Sequence, residues 1–453
     1  YAERVAEYQH KLQKVQSKER STALLRALFF IGAIVLLIVF VKSSWIFGGV
    51  LPFALFMAFI YLVQISSHLK AQVVHYQNLV QINKEEIQFL DGDLSPFKTG
   101  DEYQDYHHAY SYDLDIFGEH SLYRLLDRTG TVPGKDRLAA ELLNTELDSD
   151  VIMNRQQAVQ ELTNKLDWRQ EFLATARQID FEKDETRELQ KWLKGKDYFS
   201  TNKLYAFLFF LVPFLAVLVP VLIAFNIIHL YFLMYYLLPL SLVAYQAKKI
   251  LREQNRLDRF VKLFKKYAGL LMLIEEEDYV SDYLRDEQDK LIRNNEHASS
   301  IVKRLSSILW GLESRNNLVM AFILNALFLW DIRYMVNLEK WRHSYGDAFE
   351  HWLKVIARFE VLNSMACWAF NRSDQVYPEL ADTAYTLVMK QGGHPLLDPD
   401  KRIDNDISFE GAGQIKIVTG ANMAGKSTLL RTVGVNLILA MMGAPVCAKS
   451  FTF

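Results

Sequence analysis

The sequence predicts a mainly α-helical protein, with two transmembrane helical hairpins and a helical core, followed by the start of an α/β domain. Three observations carry that expectation. A run from Leu204 to Ala247 contains no Asp, Glu, Lys or Arg. Elsewhere apolar residues recur at helical spacing, as in Leu122, Leu125 and Leu126 and then Leu138, Leu142 and Leu143. Strand signals become clear only late, at Ala384–Met389 and Ile415–Val418. The chain has 453 residues, so more than one domain is expected.

The elements follow in order. Residues 1–20 read as a polar N-terminal helix. Residues 21–66 hold the first hairpin: Ala27–Val41 is apolar apart from Gly32, Lys42, Ser43 and Ser44 interrupt it, and Trp45–Ile65 is apolar again. A signal peptide is the competing reading, and the charged helix ahead and the second span behind weigh against it. Residues 67–110 form a linker, with a polar helix at Tyr76–Leu90 and then a loop rich in Asp, Tyr and Gly. His107 and His108 lie in that loop and read as loop residues rather than metal ligands.

Residues 111–374 read as a helical domain interrupted by the second hairpin at 204–247. Val132-Pro133-Gly134 separates two helices, and Asp150–Leu162 and Trp168–Leu193 read as further amphipathic helices. The uncharged run is long enough for two spans of roughly 20 residues each. Asn226 and His229 mark its turn, and Pro213 and Pro220 are tolerated inside the first span. Buried core helices of a soluble protein are the alternative for both hairpins. Leu318–Trp330 is apolar but short, and reads as a core helix. Residues 375–453 open the α/β domain.

Lysines and arginines give an orientation. Lys11, Lys14, Lys18, Arg20 and Arg26 precede the first hairpin. Lys191, Lys194, Lys196 and Lys203 precede the second, and Lys248, Lys249, Arg252 and Arg256 follow it. The tips hold Lys42 alone, so both tips are expected outside and the polar parts in the cytoplasm of a cell-membrane protein. The net charge of −2 excludes a global basic field of the kind that marks many nucleic-acid binders. The one strongly basic helix, Lys248–Leu273, faces anionic lipid headgroups or solvent, with DNA as the sharper option. Cys367 and Cys447 are too few and too far apart for a disulfide framework.

One motif carries chemistry. After the apolar run Ile415–Val418 comes Gly420-Ala421-Asn422-Met423-Ala424-Gly425-Lys426-Ser427, which fits G-x-x-x-x-G-K-[ST] between a strand and a helix. Such a loop points successive backbone N–H groups at phosphate oxygens, and the helix N-terminus adds its positive end. Lys426 is expected on the β- and γ-phosphates of ATP and Ser427 on Mg²⁺, with Thr428 and the amides of Ala424 and Gly425 completing the cradle.

The string from Thr419 to Asn436 resembles the P-loop of the MutS family, whose common form has Asn-Met before Gly-Gly-Lys-Ser-Thr. Asn422 and Met423 match, whereas Ala421 replaces a usual Pro and Ala424 a usual Gly. Gly393-His394-Pro395 resembles the segment that opens the family's ATPase domain, and Asn405-Asp406 its Asn-Asp pair. The resemblance implies an adenine-stacking residue three before that Asn. Arg402 stands there, with Ile403 beside it. The helical region agrees: Asp115–Gly118, Leu125–Thr129, Pro133–Leu138, Arg155–Leu162 and Phe359–Ala366 resemble parts of the MutS core, so the likeness runs over about 110–200 and 300–453.

The departures limit what is carried over. Membrane spans stand where the family's mismatch-reading domain would be, and the second hairpin occupies roughly the place of its DNA clamp. Mismatch recognition is therefore not expected. The chain starts at Tyr1 and stops at Phe453 before a Walker B acid, which reads as an excerpt of a longer protein. No catalytic residue is assigned, and the chain is expected to bind nucleotide rather than turn it over alone. The resemblance implies an ATPase that dimerises through its ATPase domain and transmits its nucleotide state to membrane helices or to DNA. A nucleotide-switched membrane scaffold is the alternative. An ABC-type transporter fits less well, because the second hairpin lacks the charged residues of a polar pathway.

Overall fold

A computed structural model describes residues 1–40, 49–179, 183–313, 318–398, 400–420 and 425–453. The fold is mainly α, with several long apolar helices and few strands. The first hairpin pairs α1 (Ala2–Phe40) with α2 (Leu51–Leu90). The pairing is antiparallel: Phe30 meets Phe59 at 5.1 Å between ring centroids, and Arg26 reaches Ser66. The polar helices expected at 1–20 and 76–90 are not separate elements. They are the stems of α1 and α2, because no Pro or Gly breaks either helix at the change from apolar to charged side chains. The expected interruption at Lys42–Ser44 lies outside the described residues.

Short helices then build the core. α3 (Leu122–Leu126), α4 (Val132–Leu143) and α5 (Ser149–Thr163) each begin at a side chain that accepts from the first turn: Ser121 from the Arg124 N–H, Thr131 from Gly134, and Asp148 from Asp150 and Val151. Pro133 sits in the first turn of α4, where a missing N–H costs nothing, so Val132-Pro133 starts that helix rather than merely separating two. The helix expected over 168–193 is two helices, α6 (Leu166–Ala176) and α7 (Lys183–Leu193). The chain turns after α6 and buries Ile179.

The second hairpin comprises α8 (Lys203–Ala224), a turn with Asn226 in the left-handed region, a 3₁₀ segment at Leu230–Tyr236, and α9 (Leu237–Glu275). The expected basic helix, Lys248–Leu273, is the C-terminal part of α9. Two prolines inside α8 each remove an N–H and orphan the carbonyl four residues earlier. Both orphans are satisfied. The Arg333 guanidinium donates to Phe209 O at 3.0 Å, and the Tyr236 hydroxyl donates to Ala216 O at 2.8 Å. Tyr235 adds a bond to Val212 O.

After α9 come α10 (Asp282–Asp289), the small ribbon β1 (Ile292–Arg293) and β2 (Glu296–His297), α11 (Ala298–Glu313) and α12 (Leu318–Phe328). α12 was expected in the core. It packs on α8 and α9 and exposes Met320, Phe322 and Ile323 in its N-terminal half, because burial sets in only toward its C-terminal end, at Asn325 and Ala326.

α13 (Trp330–Asn371) is the spine of the molecule. About 1.5 Å of rise per residue makes it roughly 60 Å long. Along it, Arg333 holds α8, and Glu339 accepts from the N–H groups of Tyr198, Phe199 and Ser200. Further on, Arg342 pairs with Asp197 and Arg358 with Glu287. The Glu360 carboxylate accepts from Gly130 N and Thr131 N at the start of α4. Burial pushes that carboxyl up to about 7 against the pull of these donors.

The C-terminal region holds a three-stranded antiparallel sheet in the order β4–β3–β5, from β3 (Thr386–Gly392), β4 (Asn405–Glu410) and β5 (Ser450–Thr452), together with α14 (Lys426–Met441). The strand expected at Ile415–Val418 does not form. The segment joins no ladder, and Ile415 and Ile417 are more than four-fifths exposed. A strand exists through its neighbours, and here β-branched residues alone do not make one.

Among the described residues four helices are long and apolar enough to cross a membrane: Ala2–Val39, Leu51–Leu90, Lys203–Ala224 and Leu230–Leu257. Their most apolar stretches are only 6–11% buried within the protein, which argues against core helices.

Candidate nucleotide-binding site

The site is assembled around the start of α14. Gly425 is its N-cap in the left-handed region, at φ 80°, which an L side chain rarely adopts. Among the described residues no side chain caps α14, which leaves its first N–H groups for an anion. Lys426 folds back across the loop and its ammonium donates to Gly420 O, which brings the two ends of the loop together. Ser427 and Thr428 are exposed at the helix mouth. Ala421, Asn422, Met423 and Ala424 lie outside the described residues.

Behind this mouth α14 is firmly seated. Asn436 donates to Gly393 O at 3.0 Å and accepts from Cys447 N at 2.7 Å, while Gly393 N donates to Cys447 O. Asn436 thus ties the Gly393-His394 segment to the helix that follows the loop. Sequence reading did not single it out as a site residue, although a fully buried Asn on an apolar helix face is the signal that marks it. Burial lowers the pKa of His394, and nearby Arg431 lowers it further. His394 Nδ1 accepts from Leu396 N at 3.3 Å, so this ring shapes the turn. Gly443, in the left-handed region after α14, lies so close to α5 that a Cβ would meet Gln156 N at 2.9 Å.

Arg402, expected at the adenine, is held in place by its neighbours. Its Nε pairs with Asp404 at 2.9 Å, its Nη1 contacts Cys447 Sγ at 2.6 Å, and the side chain is mostly covered. The guanidinium lies against Gly393, where a Cβ would meet Arg402 Nε at 2.3 Å. These bonds run along the edge of the guanidinium and hold the side chain against the Gly393 segment. Ile403 is 84% exposed and is the apolar surface this segment presents. The Asn405 side chain donates to Ile403 O and fixes that turn. The Asp406 carboxylate accepts from Gln391 N at 2.8 Å, which lowers its pKa.

The opposite side of α14 docks on the Asp- and Tyr-rich loop. Arg431 pairs with Asp115 at 2.5 Å, and Gly434 leaves room for Leu114, whose Cδ2 a Cβ would meet at 2.7 Å. In the same loop His108 uses both ring nitrogens, toward Leu143 O and Ser111 N. Among the described residues no group of three His, Cys, Asp or Glu is arranged to hold a metal. The residues present suit a nucleotide phosphate: an uncapped helix start, a left-handed glycine and a lysine bent over the loop.

No protein-family model matches the chain. Parts of it are similar to DNA mismatch repair proteins. It is 33% identical over 116 residues to the "Probable DNA mismatch repair protein Msh6" of Drosophila melanogaster, a match covering 25% of this chain and 10% of that protein. It is 36% identical over 128 residues to the DNA mismatch repair protein MutS of Caulobacter vibrioides, covering 25% and 14%. It is 30% identical over 109 residues to MutS of Streptococcus pyogenes, covering 23% and 13%. The matches span about a tenth to a seventh of the length of these curated relatives, so the likeness to the MutS family rests on about a quarter of this chain.

Proposed function

We propose that this chain is the membrane-anchored, ATP-binding part of a MutS-related ATPase. The observation that carries the reading is the loop closed by Lys426 on Gly420 at the uncapped start of α14, in a chain whose relatives are mismatch repair proteins. In this reading the backbone N–H groups of residues 420–425 and the α14 dipole hold the phosphates. Lys426 leaves Gly420 O for the β- and γ-phosphates, Ser427 holds Mg²⁺, and Thr428 contacts phosphate. Ile403 packs on the base, with Arg402 bracing it from behind. The bound nucleotide supplies the γ-phosphate whose presence or loss sets the conformation.

The domain division is part of the proposal: a first transmembrane hairpin at 21–66, a MutS-core-like region at 111–374 interrupted by a second hairpin at 204–247, and the N-terminal part of an ATPase domain from 375. Positive charge at the stems places the polar regions in the cytoplasm. α13 touches both ends of this arrangement. Trp368 donates to Pro445 O beyond α14, and Arg333 donates to α8. It is the element through which nucleotide state would reach the membrane. Dimerisation through the ATPase domain and DNA binding follow from the family likeness alone.

The test is nucleotide binding by the full protein in nanodiscs, followed with a fluorescent ATP analogue and Mg²⁺. Lys426→Ala is expected to weaken binding by at least an order of magnitude, as loss of a phosphate-bound ammonium costs about 1.5–3 kcal/mol. ATPase rates with and without duplex DNA then address coupling. Undiminished binding in Lys426→Ala would sink the site, and binding without any hydrolysis would favour the nucleotide-switched scaffold.

A further inference from the structure

We propose that α12 is a third lipid-contacting element, lying in the cytoplasmic leaflet beside the second hairpin without crossing the bilayer. The inference rests on the membrane reading of α8 and α9 and goes beyond it.

From Leu318 to Trp330 the chain has no charged residue. α12 packs on both helices of the second hairpin, so its apolar surface continues theirs. Toward its C-terminal end α12 is closed at Asn325 and Ala326, which are 4% and 5% exposed. Its N-terminal half presents Met320, Phe322 and Ile323 around the helix, of which Phe322 is 59% exposed. Eleven residues span roughly 16 Å, about half of a 30 Å hydrocarbon core, so α12 is too short to cross.

The chain then turns back. α12 and α13 meet at 73° across Leu329, a fully buried residue held in the left-handed region at φ 51°. A bulky residue adopts that conformation only where its surroundings enforce it. Asn325 supplies the enforcement: its backbone carbonyl accepts from Leu329 N and its side chain accepts from Asp331 N at 2.9 Å. The corner therefore leaves few backbone groups to lipid, as a re-entrant segment requires. Directly after it, Trp330 and Tyr334 pack ring to ring at 4.7 Å, the side-chain types that favour the headgroup level. Arg333 reaches from the same turn to Phe209 O and lies over the Phe209 ring, which keeps its charge inside the protein.

The experiment places one environment-sensitive label per protein in nanodiscs. Both native cysteines are buried, so introduced ones react selectively. Phe322→Cys and Met320→Cys report α12, Phe210→Cys on α8 reports the hairpin, and Val280→Cys on the exposed cytoplasmic side reports water. Labels at 320 and 322 are expected to be quenched by lipids carrying a nitroxide near the glycerol end of the acyl chain. They should also be shielded several-fold from aqueous iodide relative to 280. If 210 is lipid-quenched while 320 and 322 follow 280, the α12 proposal is overturned and the hairpin stands. If 210 also follows 280, the membrane reading itself fails and α12 falls with it.

Discussion

The two hairpins are attached to the core in opposite ways. α1 and α2 form a long antiparallel pair whose ties to the rest of the protein lie in its stem. Arg4 binds Asp167, His75 binds Glu171, Asn83 bonds Gln170, and Glu86 pairs with buried Arg128. In the second hairpin a core side chain enters the apolar part itself: Arg333 of α13 fills the carbonyl that Pro213 leaves open in α8. A movement of the core would carry the first hairpin as a rigid rod, whereas it would act on the second from within. In the proposed reading the first hairpin anchors and the second responds.

The strongest way to break this comparison is at the first hairpin's stem. Glu86 and Arg128 both have side chains 3% exposed; the Glu86 oxygens also accept from Asn371, and the Arg128 guanidinium lies 3.7 Å from the centre of the Phe97 ring. Glu86→Ala leaves a buried guanidinium without its counter-charge, and such losses cost about 3–5 kcal/mol. Thermal unfolding in nanodiscs should show the largest fall of any variant discussed here. A fall of the size expected at an exposed pair would mean the stem is not the anchor.

Arg333→Met tests the second hairpin. It keeps apolar bulk but leaves Phe209 O without its donor, and a buried acceptor stripped of a charged partner costs about 1.5–3 kcal/mol. The comparison predicts something more specific than lost stability. The response of labels on α8 to added ATP should shrink in Arg333→Met, while labels on α1 stay unchanged. Equal responses of α1 and α8 in both proteins would remove the distinction between anchor and responder.

How much of this was legible in the sequence depends on whether a residue's role is local. The uncharged run and the turn at Asn226 act within a few residues, and both lie where the pattern placed them. Ile415–Val418 looked like a strand because its residues suit one, but pairing is a property of two segments and none forms here. α12 looked like core because its length ruled out a span, and length says nothing about how much of a helix its neighbours cover. In the candidate site, the helix after the loop and the glycine at its start were legible, since the motif is contiguous. The contacts that hold Arg402 were not legible, because its partner Cys447 is 45 residues away. Asn436 was missed for the same reason, as its partners are Gly393 and Cys447.

The smallest expected effect sharpens the role of the prolines. Tyr236 donates to Ala216 O, the carbonyl that Pro220 frees, just as Arg333 serves the one that Pro213 frees. Tyr236, however, belongs to the hairpin and carries no charge. Tyr236→Phe deletes one neutral hydrogen bond within an apolar bundle, where such bonds average about 0.6 kcal/mol and reach about 1.7. Its stability loss should therefore fall below that of Arg333→Met, and the ATP response of α8 should survive, because the link to α13 is intact. Replacing Pro220 by Ala in the same background restores the N–H that Ala216 O lacks, so the loss should be recovered. If Tyr236→Phe silenced α8 as Arg333→Met is expected to, the carbonyls themselves would control the helix, and α13 would lose its place as the line of communication.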